Sequence, residues 1–171
     1  QLASEVLVEF APLIARKRLE VSLDAEPVRL KSDSWLIGEL LRNLLANAIR
    51  QSAAGASLGV VIRQLPDEME LLVWDNAGGL DEAVRERLFQ PFESASGGTG
   101  VGLGLSICKQ IAVSMHATLD LYNRIQQGVV VGVDAVVRWP LPEHASPQGS
   151  AIPARSMPHV ALSEATLRMP A

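Results

Sequence analysis

The sequence predicts one α/β domain. Its 171 residues, 48% of them hydrophobic, are enough to enclose one core. Segments whose apolar residues recur at helical spacing alternate with shorter segments of period two. Five glycines between Gly97 and Gly104 then run straight into an apolar, helix-forming stretch. Aromatic residues are only 4%, so the core must be built from Leu, Val, Ile and Ala. A net charge of −4 argues against non-specific nucleic-acid binding, which needs a basic footprint. The single cysteine, Cys108, permits no internal disulfide and no zinc cluster, and its apolar setting reads as core. No run of eighteen apolar residues offers a membrane span, and no signal peptide opens the chain. The chain starts mid-pattern without Met, which leads us to expect a piece of a longer protein.

Gln1 to Lys17 reads as an amphipathic helix on Leu2, Val6, Phe10, Leu13 and Ile14, with Pro12 inside it to kink or divide it. Leu19 to Leu23 alternates as a strand does, and Val28 to Leu30 is expected to add a short second one. Ser32 and Asp33 are candidate N-caps. The helix they open runs from Ser34 to about Ser52, with Ile37, Leu41, Leu44 and Ala48 as its core stripe. Glu39, Asn43, Asn47 and Arg50 fall together on another face of it. Asparagine is a poor helix former, so two of them four residues apart favour a site over plain surface polarity. An amide oxygen there suits Mg²⁺ that already carries phosphate oxygens.

Ala53 to Ala56 is a turn. Ser57 to Leu65 and Met69 to Trp74, with Pro66-Asp67 between, read as a β-hairpin. The second strand ends on Asp75-Asn76-Ala77-Gly78-Gly79-Leu80. A carboxylate there is placed either to accept a hydrogen bond from a ligand over the strand end or simply to form an Asx turn. Asp81 to Leu88 reads as a short helix. Phe89 and Phe92 flank Pro91 as an apolar latch, and Glu93 to Gly102 is a small-residue loop able to close over a ligand. Leu103 to Met115 is a helix, with His116 at its C-terminus. Ala117 to Arg124 and Val129 to Trp139 are two antiparallel strands around Gln126-Gln127-Gly128. From Pro140 onward the chain turns rich in Pro, Ser and Ala. The folded domain is expected to span 1–141, with 142–171 an extended or disordered tail.

The glycines from Gly97 to Gly104 meet a helix start near Leu103, where free N–H groups and the helix dipole favour an anion. No Lys-Ser or Lys-Thr follows, so this is not a Walker loop. The dinucleotide spacing fails too, because Gly102 and Gly104 straddle the position it requires. A phosphate site and a plain glycine hinge both remain open on this stretch alone.

Four strings in fixed order narrow the choice: NLLANA on a helix, DNAGGL after a strand, LFQPF before a loop, and GGTGVGLGLSI into a helix. Together they resemble the ATP-binding catalytic domain of two-component sensor histidine kinases, in the GHKL superfamily with gyrase, MutL and the Hsp-type chaperones. The resemblance covers about residues 1–141. It implies a two-layer α+β sandwich of the Bergerat type: a mixed, mainly antiparallel sheet, helices on one face, and a flexible ATP lid. By position, Asn47 would hold Mg²⁺ against the triphosphate, with Asn43 and Arg50 near the phosphates. Asp75 would accept the adenine amino group and Gly79 would let the base pack on the backbone. Phe89 and Phe92 would anchor the lid. The run Gly98, Thr99, Gly100, Val101, Gly102, Leu103 and Gly104 would wrap the phosphates.

The hydrolysing relatives carry a glutamate where this chain has Asn43, and asparagine cannot serve as that general base. The resemblance therefore implies phosphoryl transfer to a histidine on a separate dimerisation domain, and relay to a response regulator. It implies a homodimeric full-length sensor anchored in the inner membrane, with this part cytoplasmic and itself not membrane-spanning. An anti-sigma-type serine kinase, or a nucleotide-binding module without catalysis, would share the same fold. Ala77 stands where the family has a glycine. If that position needed positive φ, alanine would cost on the order of 1 kcal/mol.

Overall fold

A computed structural model of the chain describes residues 1–80, 89 and 104–141. The expected N-terminal helix is divided in two, α1 (Leu2–Glu9) and α2 (Ala11–Lys17), with Phe10 between them. Pro12 explains the break. It sits in the first turn of α2, where its missing N–H has no partner to lose, and it could not have continued α1. Strand β1 (Glu20–Ala25) follows. The second short strand expected at Val28 to Leu30 does not form: those residues have no ladder partner, and the side chains of Val28 and Leu30 lean on the core edge instead.

Helix α3 (Ser34–Gln51) is capped by Asp33, whose carboxylate accepts from Trp35 N–H at 2.8 Å and Leu36 N–H at 3.3 Å. Such a cap contributes about 1 kcal/mol. Its core stripe is wider than the four expected residues, because Leu40, Leu45 and Ile49 are buried as deeply as Leu41, Leu44 and Ala48. Its C-terminal carbonyls are gathered by Lys17, whose ammonium donates to Ile49 O at 2.7 Å, Arg50 O at 3.1 Å and Ser52 O at 2.8 Å. A cation on the last turn also meets the negative end of the helix dipole.

The remaining elements are β2 (Ser57–Gln64), β3 (Glu68–Asp75), α4 (Gly104–Ser114), β4 (Thr118–Gln126) and β5 (Val129–Pro140). They complete a five-stranded mixed sheet in the order β1-β2-β3-β5-β4. Only β1 and β2 are parallel, and α3 is their crossover; every other pairing is antiparallel. Alternate residues Leu58 and Val60, Leu71 and Val73, Leu119 and Leu121, and Val137 and Trp139 turn inward against α1, α3 and α4. Helix α4 ends as expected at His116, whose backbone takes φ 57° while Ala117 N–H reaches back to Ala112 O at 2.8 Å.

The other sheet face carries charge and aromatic rings. Glu70 is 3% exposed, held between Arg63 (Nη2 at 2.6 Å) and Arg138 (Nε at 3.0 Å). Arg124 stacks over the Trp74 ring at 4.3 Å and pairs with Asp134 at 3.0 Å.

Candidate functional site

Three elements bring the expected site residues to one end of the molecule. Helix α3 leads through a short turn into β2, and Leu58 at the start of β2 pairs with Asp75 at the end of β3. The last turns of α3 and the end of β3 therefore share an end of the fold. Helix α4 begins there too: a Cβ on Gly104 would stand 3.2 Å from Asn47 Nδ2.

Asp75 is buried, 7% exposed, at the strand end. Its Oδ1 accepts from Ala77 N–H at 2.9 Å and from Val133 N–H at 3.3 Å. Among the described residues nothing donates to Oδ2. Burial pushes the carboxyl above the usual carboxylate range; the two backbone N–H groups and the Arg124 charge pull the other way, and the neighbouring Asp134 charge adds to the rise. Both readings of this carboxylate from sequence are thus visible at once. One oxygen makes the Asx turn, and the other is left for something else.

On α3, Arg50 donates Nη2 to Asn47 Oδ1, while Asn47 Nδ2 is buried and has no hydrogen-bond partner among the described residues. Asn43 donates Nδ2 back to Glu39 O at 2.8 Å. Glu39, expected beside Arg50, pairs instead with Arg42 at 2.9 Å. A buried amide left half satisfied is costly, and it marks a place where a ligand or water completes the set. Asn76 Oδ1, next to Asp75, is orphaned in the same way.

The cost expected at Ala77 is absent. Positive φ falls on Gly78 (φ 89°), and Ala77 is not in the left-handed region. Gly79 is required for space, because a Cβ would lie 2.2 Å from Val130 Cγ1 and 2.9 Å from Asn123 Oδ1. Phe89 packs on the core with Lys109 Nζ 5.0 Å from its ring centre. Phe92, Gly98, Thr99, Gly100, Val101, Gly102 and Leu103 lie outside the described residues, as do the helix expected at 81–88 and the tail from 142. Sequence reasoning misses Asn123. Its signal is an asparagine inside a strand, where that residue is disfavoured.

The model of the histidine kinase-, DNA gyrase B- and HSP90-like ATPases matches residues 32–143. The chain belongs to this family. Within this family it is similar to sensor histidine kinases and to the catalytic domain of one of them. It is 31% identical over 133 residues to the sensor protein KdpD of Escherichia coli K12, covering 76% of this chain and 14% of KdpD. To the signal transduction histidine-protein kinase/phosphatase MprB of Mycolicibacterium paratuberculosis it is 30% identical over 157 residues, covering 85% of this chain and 30% of MprB. The chain thus spans less than a third of the length of either relative. Among solved structures, the catalytic domain of histidine kinase ThkA superposes with a TM-score of 0.73 at 26% identity, covering 81% of this chain and 90% of that one. The mycobacterial sensor histidine kinase MprB shares the fold with a TM-score of 0.73 at 24% identity, covering 81% and 93%. Among the described residues of this ATPase domain, no helix is long and apolar enough to cross a membrane.

Proposed function

We propose that this ATPase domain binds Mg-ATP between the end of α3 and the end of β3, and donates the γ-phosphoryl group to a histidine on a separate dimerisation domain. The observation that carries the reading is Asp75: a buried strand-end carboxylate with one oxygen tied to the backbone and the other unengaged among the described residues. An ionised Oδ2 there accepts the exocyclic amine of adenine, whereas guanine presents a carbonyl at that position and is refused.

The phosphates then extend toward Asn43, Asn47 and Arg50, and the segment from Gly98 to Gly104 wraps them. The donor chemistry fits a divalent cation at Asn47: its amide oxygen, a hard neutral ligand, would hold the cation once Arg50, which donates to that oxygen here, turns to the phosphates. When bound, Mg²⁺ neutralises charge developing on the phosphate oxygens. Arg50, now on Asn47 Oδ1, supplies a second positive charge for the triphosphate. Asn43 cannot take a proton from water, so the site positions the γ-phosphoryl without activating hydrolysis. Transfer breaks the bond from the γ-phosphorus to the ADP oxygen and forms one to the unprotonated nitrogen of a neutral imidazole; the proton on the other ring nitrogen then leaves to solvent.

The wider setting follows from the same reading. We take the domain boundary to lie at about residue 141. The acceptor histidine sits on a dimerising domain of the same protein, and the phosphoryl group passes on to a response regulator. Histidine kinase ThkA has been solved in complex with the response regulator TrrA. We place this domain on the cytoplasmic side of a homodimeric sensor anchored in the inner membrane.

Calorimetric titration with a non-hydrolysable ATP analogue, with and without Mg²⁺, tests the site. Micromolar-range binding is expected, with Asp75→Asn weakening it and Asn47→Asp altering its Mg²⁺ dependence. No binding by the wild-type chain at millimolar analogue sinks the assignment. Labelled ATP mixed with a supplied dimerisation domain then tests the transfer.

A further inference from the structure

The loop that follows Asp75 is gripped by the β4–β5 hairpin at three points. Gly132 backs directly onto it: a Cβ there would fall 1.8 Å from Asp75 O and 2.9 Å from Asn76 Cα. Gly78 N–H donates to Val131 O at 3.1 Å. The third grip is a side chain. Leu80 N–H donates to Asn123 Oδ1 at 2.7 Å, and Asn123 Nδ2 donates to Leu80 O at 3.0 Å.

A primary amide presents one acceptor and one donor side by side, which matches the N–H and C=O of a single residue. Aspartate lacks the donor, and serine is too short to reach both groups. The pairing also accounts for an asparagine inside β4, where strand propensity disfavours it. What it holds is otherwise loose: Gly78 and Gly79 lie just before Leu80, and two adjacent glycines have the most conformational freedom to lose on ordering.

We infer that Asn123 is a positioning residue for the nucleotide base. It fixes the Gly78–Leu80 backbone beside Asp75 before the ligand arrives, so the loop is not ordered at the ligand's expense. This rests on the nucleotide reading above. Asn123 touches neither the phosphates nor the cation in that reading, so its contribution is confined to the base.

The test compares wild type, Asn123→Ala and the isosteric Asn123→Asp in the full chain. Two ligands are titrated with Mg²⁺: a non-hydrolysable ATP analogue and inorganic tripolyphosphate, which has no base. Amide hydrogen exchange at Leu80 is read without ligand. Asn123→Ala is expected to exchange Leu80 at least about tenfold faster; Asn123→Asp keeps the acceptor for Leu80 N–H but sets a carboxylate against Leu80 O, so its exchange rises less. Both variants are expected to bind the ATP analogue about tenfold more weakly, with tripolyphosphate affinity unchanged. Unchanged exchange in Asn123→Ala, unchanged analogue affinity, or equal weakening of both ligands overturns the proposal. Asn123→Asp guards against a variant that merely loses packing volume, and far-ultraviolet circular dichroism confirms that each variant is folded. A wild-type chain that binds no adenine nucleotide sinks the nucleotide site and this proposal with it. A wild type that binds, beside variants that bind equally well, sinks this proposal alone.

Discussion

Asn47 on α3 lies against Gly104 at the start of α4, where a Cβ would stand 3.2 Å from Asn47 Nδ2. That spacing is tighter than ordinary contact, so a methyl group at position 104 forces the amide to move.

Gly104→Ala should therefore separate stability from binding. Alanine gains up to about 1 kcal/mol in helix propensity over glycine, offsetting the displaced side chain, so the Tm should stay within about 4 °C of wild type. If Asn47 holds the cation as proposed, affinity for a Mg-bound ATP analogue should fall about tenfold, because its amide is displaced. Melting followed by circular dichroism and calorimetry on one sample check both halves. Wild-type affinity in this variant would show that the placement of Asn47 is immaterial.

The raised Asp75 carboxyl sets two pH dependences of opposite sign. Burial makes the folded state hold this proton to higher pH than the unfolded chain does. Between the unfolded value near about 3.9 and the folded one, the native state binds more protons. Stability from this group is therefore full below the unfolded value and is lost as pH rises through the folded value. In the proposed role of Asp75, nucleotide binding needs the ionised acceptor, so affinity is expected to fall as pH drops through the same folded value. Asp75→Asn removes both slopes. It should be at least as stable as wild type at neutral pH and bind the analogue at least about tenfold more weakly. Urea unfolding and calorimetry between about pH 4 and pH 7 read the two slopes.

Glu70 carries a prediction on the opposite face. Its side chain is 4% exposed and it is the shared partner of two guanidiniums. Glu70→Ala leaves Arg63 and Arg138 facing each other without that shared counter-charge. Both arginines are about a third exposed, so solvent screens part of the loss. We expect a cost of about 2 kcal/mol, with Glu70→Gln costing roughly half as much. Denaturant unfolding measures it. Affinity for the ATP analogue should not change, since this residue lies across the sheet from the helices that carry the site.

Local signals in the sequence make most of the elements legible. Asp33 as a cap, the apolar stripe of α3 and the β2–β3 and β4–β5 hairpins all depend on residues near one another in the chain, and they form with small shifts at their ends. Val28 to Leu30 shows where such signals fail: alternation in three residues cannot reveal whether a neighbouring strand exists to pair with. The parallel β1–β2 ladder pairs Glu20 with Ser57 across the whole of α3, and no local pattern encodes that register. At the site, Asn47 stands out because asparagine is a poor helix former, whereas Asp75 reads equally well as a ligand acceptor and as an Asx turn. The engagement of Asn47 by Arg50, the pairing of Glu39 with Arg42 and the grip of Asn123 on Leu80 depend on side-chain geometry or distant backbone, and sequence spacing does not carry them.

The position of β5 between β3 and β4 bears on how the domain comes into being. It is the last described strand in the chain, yet it occupies an interior place in the sheet. Until it is present, β3 has an open edge and β4 has no sheet to join. Leu141, just beyond it, closes the far end by donating its N–H to Asp67 O at 2.9 Å. During synthesis, then, a nascent chain that stops short of residue 129 exposes an unpaired, apolar β3 edge, and only the complete sequence to Leu141 hides it. Pairings so distant in sequence form slowly. The half-made domain is the form in greatest need of a chaperone, and a premature stop between β3 and β5 yields an aggregation-prone fragment rather than a weakened domain.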